Sequence, residues 1–197
     1  MKAYSGFKSE APAASLPPLP AGAYVGVIKD VRLEGDEPDQ TLVLRLEVTE
    51  GEHAGYYTKR YQNDVQSSRD YTPRYKGVFR LRVPNPDNPN AAHPEWDVRS
   101  FNNAVWAIEE SNAGYHWDWN EAGLKGRAVG FSVRDASFNG IPFTEIGRLE
   151  AVSYVREGKV KPMKPRPDTG SSNGASVPAS PTVPGGFTPA DDEELPF

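Results

Sequence analysis

Between residues 41 and 49 the chain alternates with period two: Leu42, Leu44, Leu46 and Val48 fall on one face, Val43, Arg45 and Glu47 on the other. That pattern suits a strand with one side against a core and does not fit the 3.6-residue period of a helix. Such a strand needs neighbours to pair its backbone, and four candidates are present. Residues 24–33 place Val25, Val27, Val31 and Leu33 on one face, with Gly26 permitting a bend or bulge. The acidic link 35–40 joins these two strands as a hairpin-like loop. Residues 77–83 turn Phe79, Leu81 and Val83 one way and Arg80 and Arg82 the other. Two more strands, near 126–134 and 142–155, meet at Asn139-Gly140, a dipeptide favoured in tight hairpins.

The one helix the periodicity predicts runs from about Asp97 to Ser111. Asp97 is its expected cap, Phe101, Val105 and Ile108 fall at i, i+4 and i+7, and residues 112–114 supply the stop. Three strands, a helix and two strands make the chain mainly β. The succession is that of a five-stranded OB-type Greek-key barrel with one helix between strands 3 and 4, a fold whose strand face and loops bind single strands and oligosaccharides. A small antiparallel α+β sandwich would give much the same string. Residues 1–20, with Pro17, Pro18 and Pro20, are expected to be a flexible arm, and 21–162 the folded domain. Residues 163–190 turn to Pro, Ser, Gly, Ala and Thr, cannot bury enough apolar surface to order, and read as a disordered linker. As a flexible coil that linker would reach roughly 30 Å.

Composition narrows the function. The chain has no cysteine, which excludes disulfide staples, thiolate zinc sites and cysteine nucleophiles. It has no run of about 18 apolar residues and no charged-then-apolar leader, so the expectation is a soluble, cytoplasmic protein, in the host cytoplasm if phage-encoded, with no membrane partner. His53, His93 and His116 lack ligand spacing, and no HExxH, phosphate-cradling glycine loop, GxSxG or serine-lysine pair is present. Neither an enzyme nor a cofactor or metal is expected. Asp118 and Glu121 beside Trp117 and Trp119 suggest a carbohydrate-type site, with packing tryptophans as the plainer explanation.

The net charge of −5 argues against nucleic acid only if it is evenly spread. Of 27 acids, four lie in the last seven residues, which leaves 23 against 22 bases in the rest. Residues 56–82 hold seven bases and two acids. There Tyr56-Tyr57-Thr58-Lys59-Arg60-Tyr61, Arg69-Asp70-Tyr71 and Arg74-Tyr75-Lys76 interleave rings with cations. Single-stranded nucleic acid calls for this mixture, since bases stack on aromatic faces while Lys and Arg follow the phosphates. The expected DNA-binding set is therefore Tyr56, Tyr57, Lys59, Arg60, Tyr61, Arg69, Tyr71, Arg74, Tyr75, Lys76, Arg80 and Arg82. Arg127 and Arg134 on the fourth strand, with Phe138 at the hairpin, would extend the groove. The plainer alternative, expected for roughly half the rings, is that they line the core.

The last seven residues, Asp191, Asp192, Glu193, Glu194, Leu195, Pro196 and Phe197, have the chemistry of a peptide ligand. The acids steer toward a basic partner, and the proline and phenylalanine suit an apolar pocket. This tip resembles the acidic C-terminal tip of bacterial single-stranded DNA-binding proteins, which also ends in Pro-Phe after a Pro/Gly/Ser-rich linker. The body resembles a different group, a bacteriophage family of OB-fold single-stranded DNA-binding proteins. The shared patches are Leu19-Pro20-Ala21-Gly22-Ala23-Tyr24, Val48-Thr49-Glu50-Gly51-Glu52 with Gly55-Tyr56-Tyr57, Ser111-Asn112-Ala113-Gly114-Tyr115, Leu124-Lys125-Gly126-Arg127 and Val155-Arg156-Glu157-Gly158-Lys159. The resemblance implies a protein that coats single-stranded DNA in phage replication, recombination and repair and recruits replication or recombination proteins through its tip. The tip would compete with DNA for the basic groove when no partner is present. A homodimer would double the contact length. The rival expectations are an adaptor that binds partners through the tip without DNA affinity, and a carbohydrate or virion module.

Overall fold

The computed structural model describes residues 16–67, 71–85, 88 and 93–168. The protein is mainly β. Strands β1 (Gly22–Glu34), β2 (Thr41–Val48), β3 (Val78–Arg82), β4 (Ala128–Phe138) and β5 (Ile141–Glu150) form one antiparallel sheet in the order β3-β2-β1-β4-β5. The central strand β1 changes partner along its length, pairing β4 over residues 22–27 and β2 over residues 26–34. The sheet curls so that its outer strands β3 and β5 come into contact, although among the described residues no ladder joins them.

One face of β2 is buried as its alternation requires: Leu42, Leu44, Leu46 and Val48 all lie in the core. On β1 the expected single face of Val25, Val27, Val31 and Leu33 does not form. The register shifts between Ile28 and Asp30, leaving Lys29 as a bulge, and one extra residue moves every later side chain to the opposite face. Ile28, Val31 and Leu33 thus share the core-facing side opposite Leu46, Leu44 and Leu42; Ile28 is fully buried, while Leu33, near the end of the strand, is 42% exposed. Gly26 has a different role from a bulge. A Cβ there would sit 2.3 Å from the Glu47 carbonyl oxygen and 2.6 Å from the Phe131 ring, so only glycine allows β1 and β2 to close over that ring.

Helix α2 (Pro94–Ser111) seals the core with Phe101, Ala104, Ala107 and Ile108. Burying Phe101 and Ile108 contributes about 1.5–3 kcal/mol each. Its start lies three residues before the expected cap. Pro94 occupies the first turn with its φ already suited to a helix, and Asp97 sits inside that turn beside Glu95, where the macrodipole favours acids. Its end is held by Asn112, whose Nδ2 donates to the Ile108 and Ala128 carbonyls and whose Oδ1 accepts from Ala128 N–H. The side chain thus ties the helix end to the start of β4.

Other expectations are corrected by the structure. A second long helix, α1 (Tyr56–Ser67), occupies the aromatic-basic stretch. The fifth strand stops at Glu150, and residues beyond it form α3 (Val152–Arg156), packed so closely on β4 that a Cβ on Gly130 would meet Val155 Cγ2 at 2.6 Å. Residues 16–20 are pinned rather than loose. Leu19 is buried in the core, and the Pro17 and Pro20 carbonyls accept from the hydroxyls of Tyr56 and Tyr24. At the other end Arg166 bridges to Ala136, its N–H donating to the Asp135 carbonyl, and the Asp168 carboxylate accepts from the N–H groups of Asn139 and Gly140. Those two residues make the expected tight turn, with φ of 51° and 75°. Among the described residues no helix is long and apolar enough to cross a membrane.

Candidate nucleic-acid interface

The outward side of β1, β2 and β3 is a ribbon of arginines set by strand register. Arg32 pairs with Val43, and Val43 with Arg80; in the next rows Glu34 and Arg82 flank Thr41, and Asp30 faces Arg45. Arg32, Arg45, Arg80 and Arg82 therefore share one face, with Asp30 and Glu34 among them and Glu47 further along β2. Each has a nearby acid: Arg32 and Arg80 contact Glu34, the latter at 3.8 Å, Arg45 lies 3.7 Å from Asp30, and Arg82 lies 3.8 Å from Asp97. The four arginine side chains are 42–58% exposed. Exposed pairs of this kind are worth about 0–1 kcal/mol, so an incoming phosphate can displace the acid.

The tyrosines divide between core and surface. Tyr57 is 5% exposed, and its ring packs against Tyr56, Tyr75 and Phe131, so it offers no face to a ligand. Tyr56 packs on the core and its hydroxyl joins Pro17 O to Arg60 Nη1. Tyr75 spends its hydroxyl on Leu46 O at 2.9 Å and on Glu47 Oε2 at 3.2 Å. Tyr61, 37% exposed, and Tyr71, 66% exposed, are the members of the expected set with rings open to solvent.

Burial, reinforced by neighbouring tyrosines and Glu47, pushes the Tyr57 hydroxyl well above its ordinary value of 10. The folded state thus holds the Tyr57 proton more tightly than the unfolded chain does. The stability this gives is complete below about pH 10 and is lost as pH rises beyond it, at up to roughly 1.4 kcal/mol per pH unit. Urea titrations at pH 9 and 11 should show that loss, and Tyr57→Phe should reduce it.

The expected cations also separate. Lys59 Nζ donates to the Ala54 carbonyl, and Arg60 is engaged with Tyr56, its Nε buried without a hydrogen-bond partner. Arg74 and Lys76 are exposed just before β3. Arg127 precedes β4 instead of lying on it; its guanidinium sits 4.1 Å over the Tyr115 ring and its Nε donates to Gly123 O. Arg134 is held by Glu145 through both Nε (2.8 Å) and Nη2 (2.6 Å), and Arg166 Nη1 reaches the same carboxylate at 3.1 Å. Arg127 and Arg134 therefore serve packing more than a groove. Phe138 is 54% exposed at the hairpin, beside Ile141 at 68%. Arg69 and the tip residues 191–197 lie outside the described residues.

Two members of the ribbon, Arg32 and Arg45, are absent from the expected set. Period-two alternation puts Arg45 outward, yet only the pairing of three strands brings it and Arg32 beside Arg80 and Arg82. The most exposed tryptophan, Trp119 at 65%, belongs to the loop after α2 and lies outside the aromatic-basic stretch. No protein-family model matches the chain, and a search of curated proteins finds no match.

Proposed function

We propose that this protein is a non-enzymatic single-stranded DNA-binding protein with an OB-type barrel, acting in phage DNA replication or recombination. The observation that carries the reading is the arginine ribbon on the outward side of β1–β3. An OB fold binds strands on the face of its second and third strands and at the loops joining strands 1–2 and 4–5. Here the first of these carries Arg45, Arg80 and Arg82, and the last is the Asn139-Gly140 hairpin with its exposed Phe138 and Ile141. The sheet order, the helix between β3 and β4 and the approach of β3 to β5 fit such a barrel left partly open.

Affinity comes from phosphate neutralisation and ring stacking, so binding has little sequence preference and weakens with salt at about −0.7 per neutralised phosphate. Residues 191–197 recruit replication or recombination proteins. The test is a titration of fluorescently labelled oligo-dT with the full chain and with a chain lacking residues 191–197, at two salt concentrations. Binding by both, weaker at high salt, is expected. No binding by either at low salt would sink the reading and favour the adaptor without DNA affinity.

A further inference from the structure

At the end of the sheet that carries the arginine ribbon, an apolar cleft is lined by Leu33, Leu42, Val83, Phe101, Trp117 and Trp119. We propose that it takes one unpaired nucleobase of a bound single strand, stacked on Trp119; this rests on the reading as a single-stranded DNA-binding protein. Trp119 is built as a platform. One side of its ring is backed by the buried Phe101, with centroids 5.5 Å apart and planes 12° from parallel, and Trp117 leans against it at 6.1 Å. The ring is nevertheless 65% exposed, so its other face is open. A large apolar ring held rigidly yet left in water has a surface to offer.

The backbone supports the same conclusion. Trp119 has φ of +64°, a left-handed conformation that is strained for a bulky side chain and persists only where the surroundings impose it. They do so here. Trp117 N–H donates to Glu109 Oε1 on α2 at 2.7 Å, Asn120 N–H donates to Asp118 Oδ1, and Ala122 N–H donates to Asn120 Oδ1. Trp117, which shares the cleft wall, is itself anchored in the protein, with its indole Nε1–H buried. Two polar side chains also line the cleft: Gln40 offers both a donor and an acceptor, which suits the varied edges of different bases, and the Glu121 carboxylate can accept from a base's exocyclic amine while disfavouring a phosphate there.

Strand register relates cleft and ribbon. Leu33, Leu42 and Val83 line the cleft from the core-facing side of the sheet, while their chain neighbours Arg32 and Arg82 stand on the outward side, so a strand whose phosphates follow the arginines places a base in the cleft by turning over this end of the sheet. Stacking of a sugar on Trp119 is the competing use of the same ring.

The experiment compares Trp119→Gly, Trp119→Phe and Leu33→Trp with the parent full-length chain, by anisotropy of labelled oligo-dT and of an equally long abasic deoxyribose-phosphate strand. Glycine adopts the left-handed φ without strain, and Leu33→Trp fills the cleft from its other wall, so the two variants perturb folding differently. Trp119→Gly and Leu33→Trp should each weaken oligo-dT binding about 5- to 150-fold, the usual worth of one stacked base. Their salt slope and their affinity for the abasic strand should match the parent, and Trp119→Phe should retain most of the oligo-dT affinity. Parental oligo-dT affinity in both Trp119→Gly and Leu33→Trp would overturn the proposal, as would tryptophan quenching by chito-oligosaccharide that is lost in Trp119→Gly while DNA binding is kept. If the parent itself binds no oligo-dT, the failure lies with the proposed function, and the cleft assignment falls with it.

Discussion

Replacing Arg32, Arg45, Arg80 and Arg82 together by alanine should reduce oligo-dT affinity on the order of 10²-fold or more near 0.1 M salt and flatten the salt dependence by up to about 2.8. The figure follows from about 0.7 per neutralised phosphate if each arginine meets one. The four differ from other cations of the domain in a way that decides the outcome. For Arg45, Arg80 and Arg82 the acids lie at the edge of contact, 3.7–3.8 Å, and although Arg32 touches Glu34 closely, all four side chains are substantially exposed. Arg134, by contrast, is gripped by Glu145 through two nitrogens and its side chain is 28% exposed. Arg134→Ala should leave the salt slope unchanged while lowering thermal stability, because it strips a half-buried carboxylate of a partner. The quadruple variant should melt closer to the parent temperature than Glu47→Ala does, since exposed pairs contribute about 0–1 kcal/mol each and many contribute nothing measurable. A salt slope that stays at its parental value in the quadruple variant would remove the ribbon from the binding surface.

Glu47→Ala should cost about 3 kcal/mol or more and melt α1 before the rest of the domain. Glu47 is 6% exposed, an unusual place for a lone carboxylate. Its Oε1 accepts from Tyr57 N–H and Val48 N–H, each at 3.0 Å. Its Oε2 accepts from Thr58 N–H at 2.8 Å, from the Thr58 hydroxyl, and from Tyr75 Oη at 3.2 Å. The carboxylate thus caps the amino end of α1 from a neighbouring strand, meeting orphan N–H groups and the positive end of the helix dipole together. Alanine would leave those donors buried without an acceptor, each at about 1–3 kcal/mol in isolation. For a domain of this size 3 kcal/mol lowers Tm by roughly 6–12 °C. Hydrogen exchange should show the amides of residues 57–67 losing protection first. Uniform loss across sheet and helix would mean that α1 does not depend on this cap.

That cap explains why α1 is invisible to periodicity. Helix detection relies on an apolar stripe and on a capping residue next to the first turn. Within α1 Tyr57 is the side chain that becomes buried, and the cap lies nine residues before Tyr56. The rings there consequently look like a ligand surface, whereas Tyr56, Tyr57 and Tyr75 spend their faces and hydroxyls on the core. The α2 stripe of Phe101, Val105 and Ile108 is visible because its partner is the general apolar core, which asks only for spacing. The β1 bulge is hidden for a related reason, since nothing in residues 24–33 marks Lys29 as the extra residue until β2 fixes the register.

The sequence by itself determined the five strand regions, the tight turn at Asn139-Gly140, the core face of β2 and the outward direction of Arg80 and Arg82. Each depends on local backbone preference or on a period that repeats within one element. Tertiary structure decided which cations stand together, which tyrosines are core, where α1 begins and how Trp119 is held on Phe101. Those outcomes depend on contacts between residues far apart in the chain: Arg32 with Arg80 across Val43, Glu47 with the start of α1, and Trp117 with Glu109. A pattern read within one element carries no information about which other element will supply the partner, and here the partners decide which charges and rings remain available to a ligand.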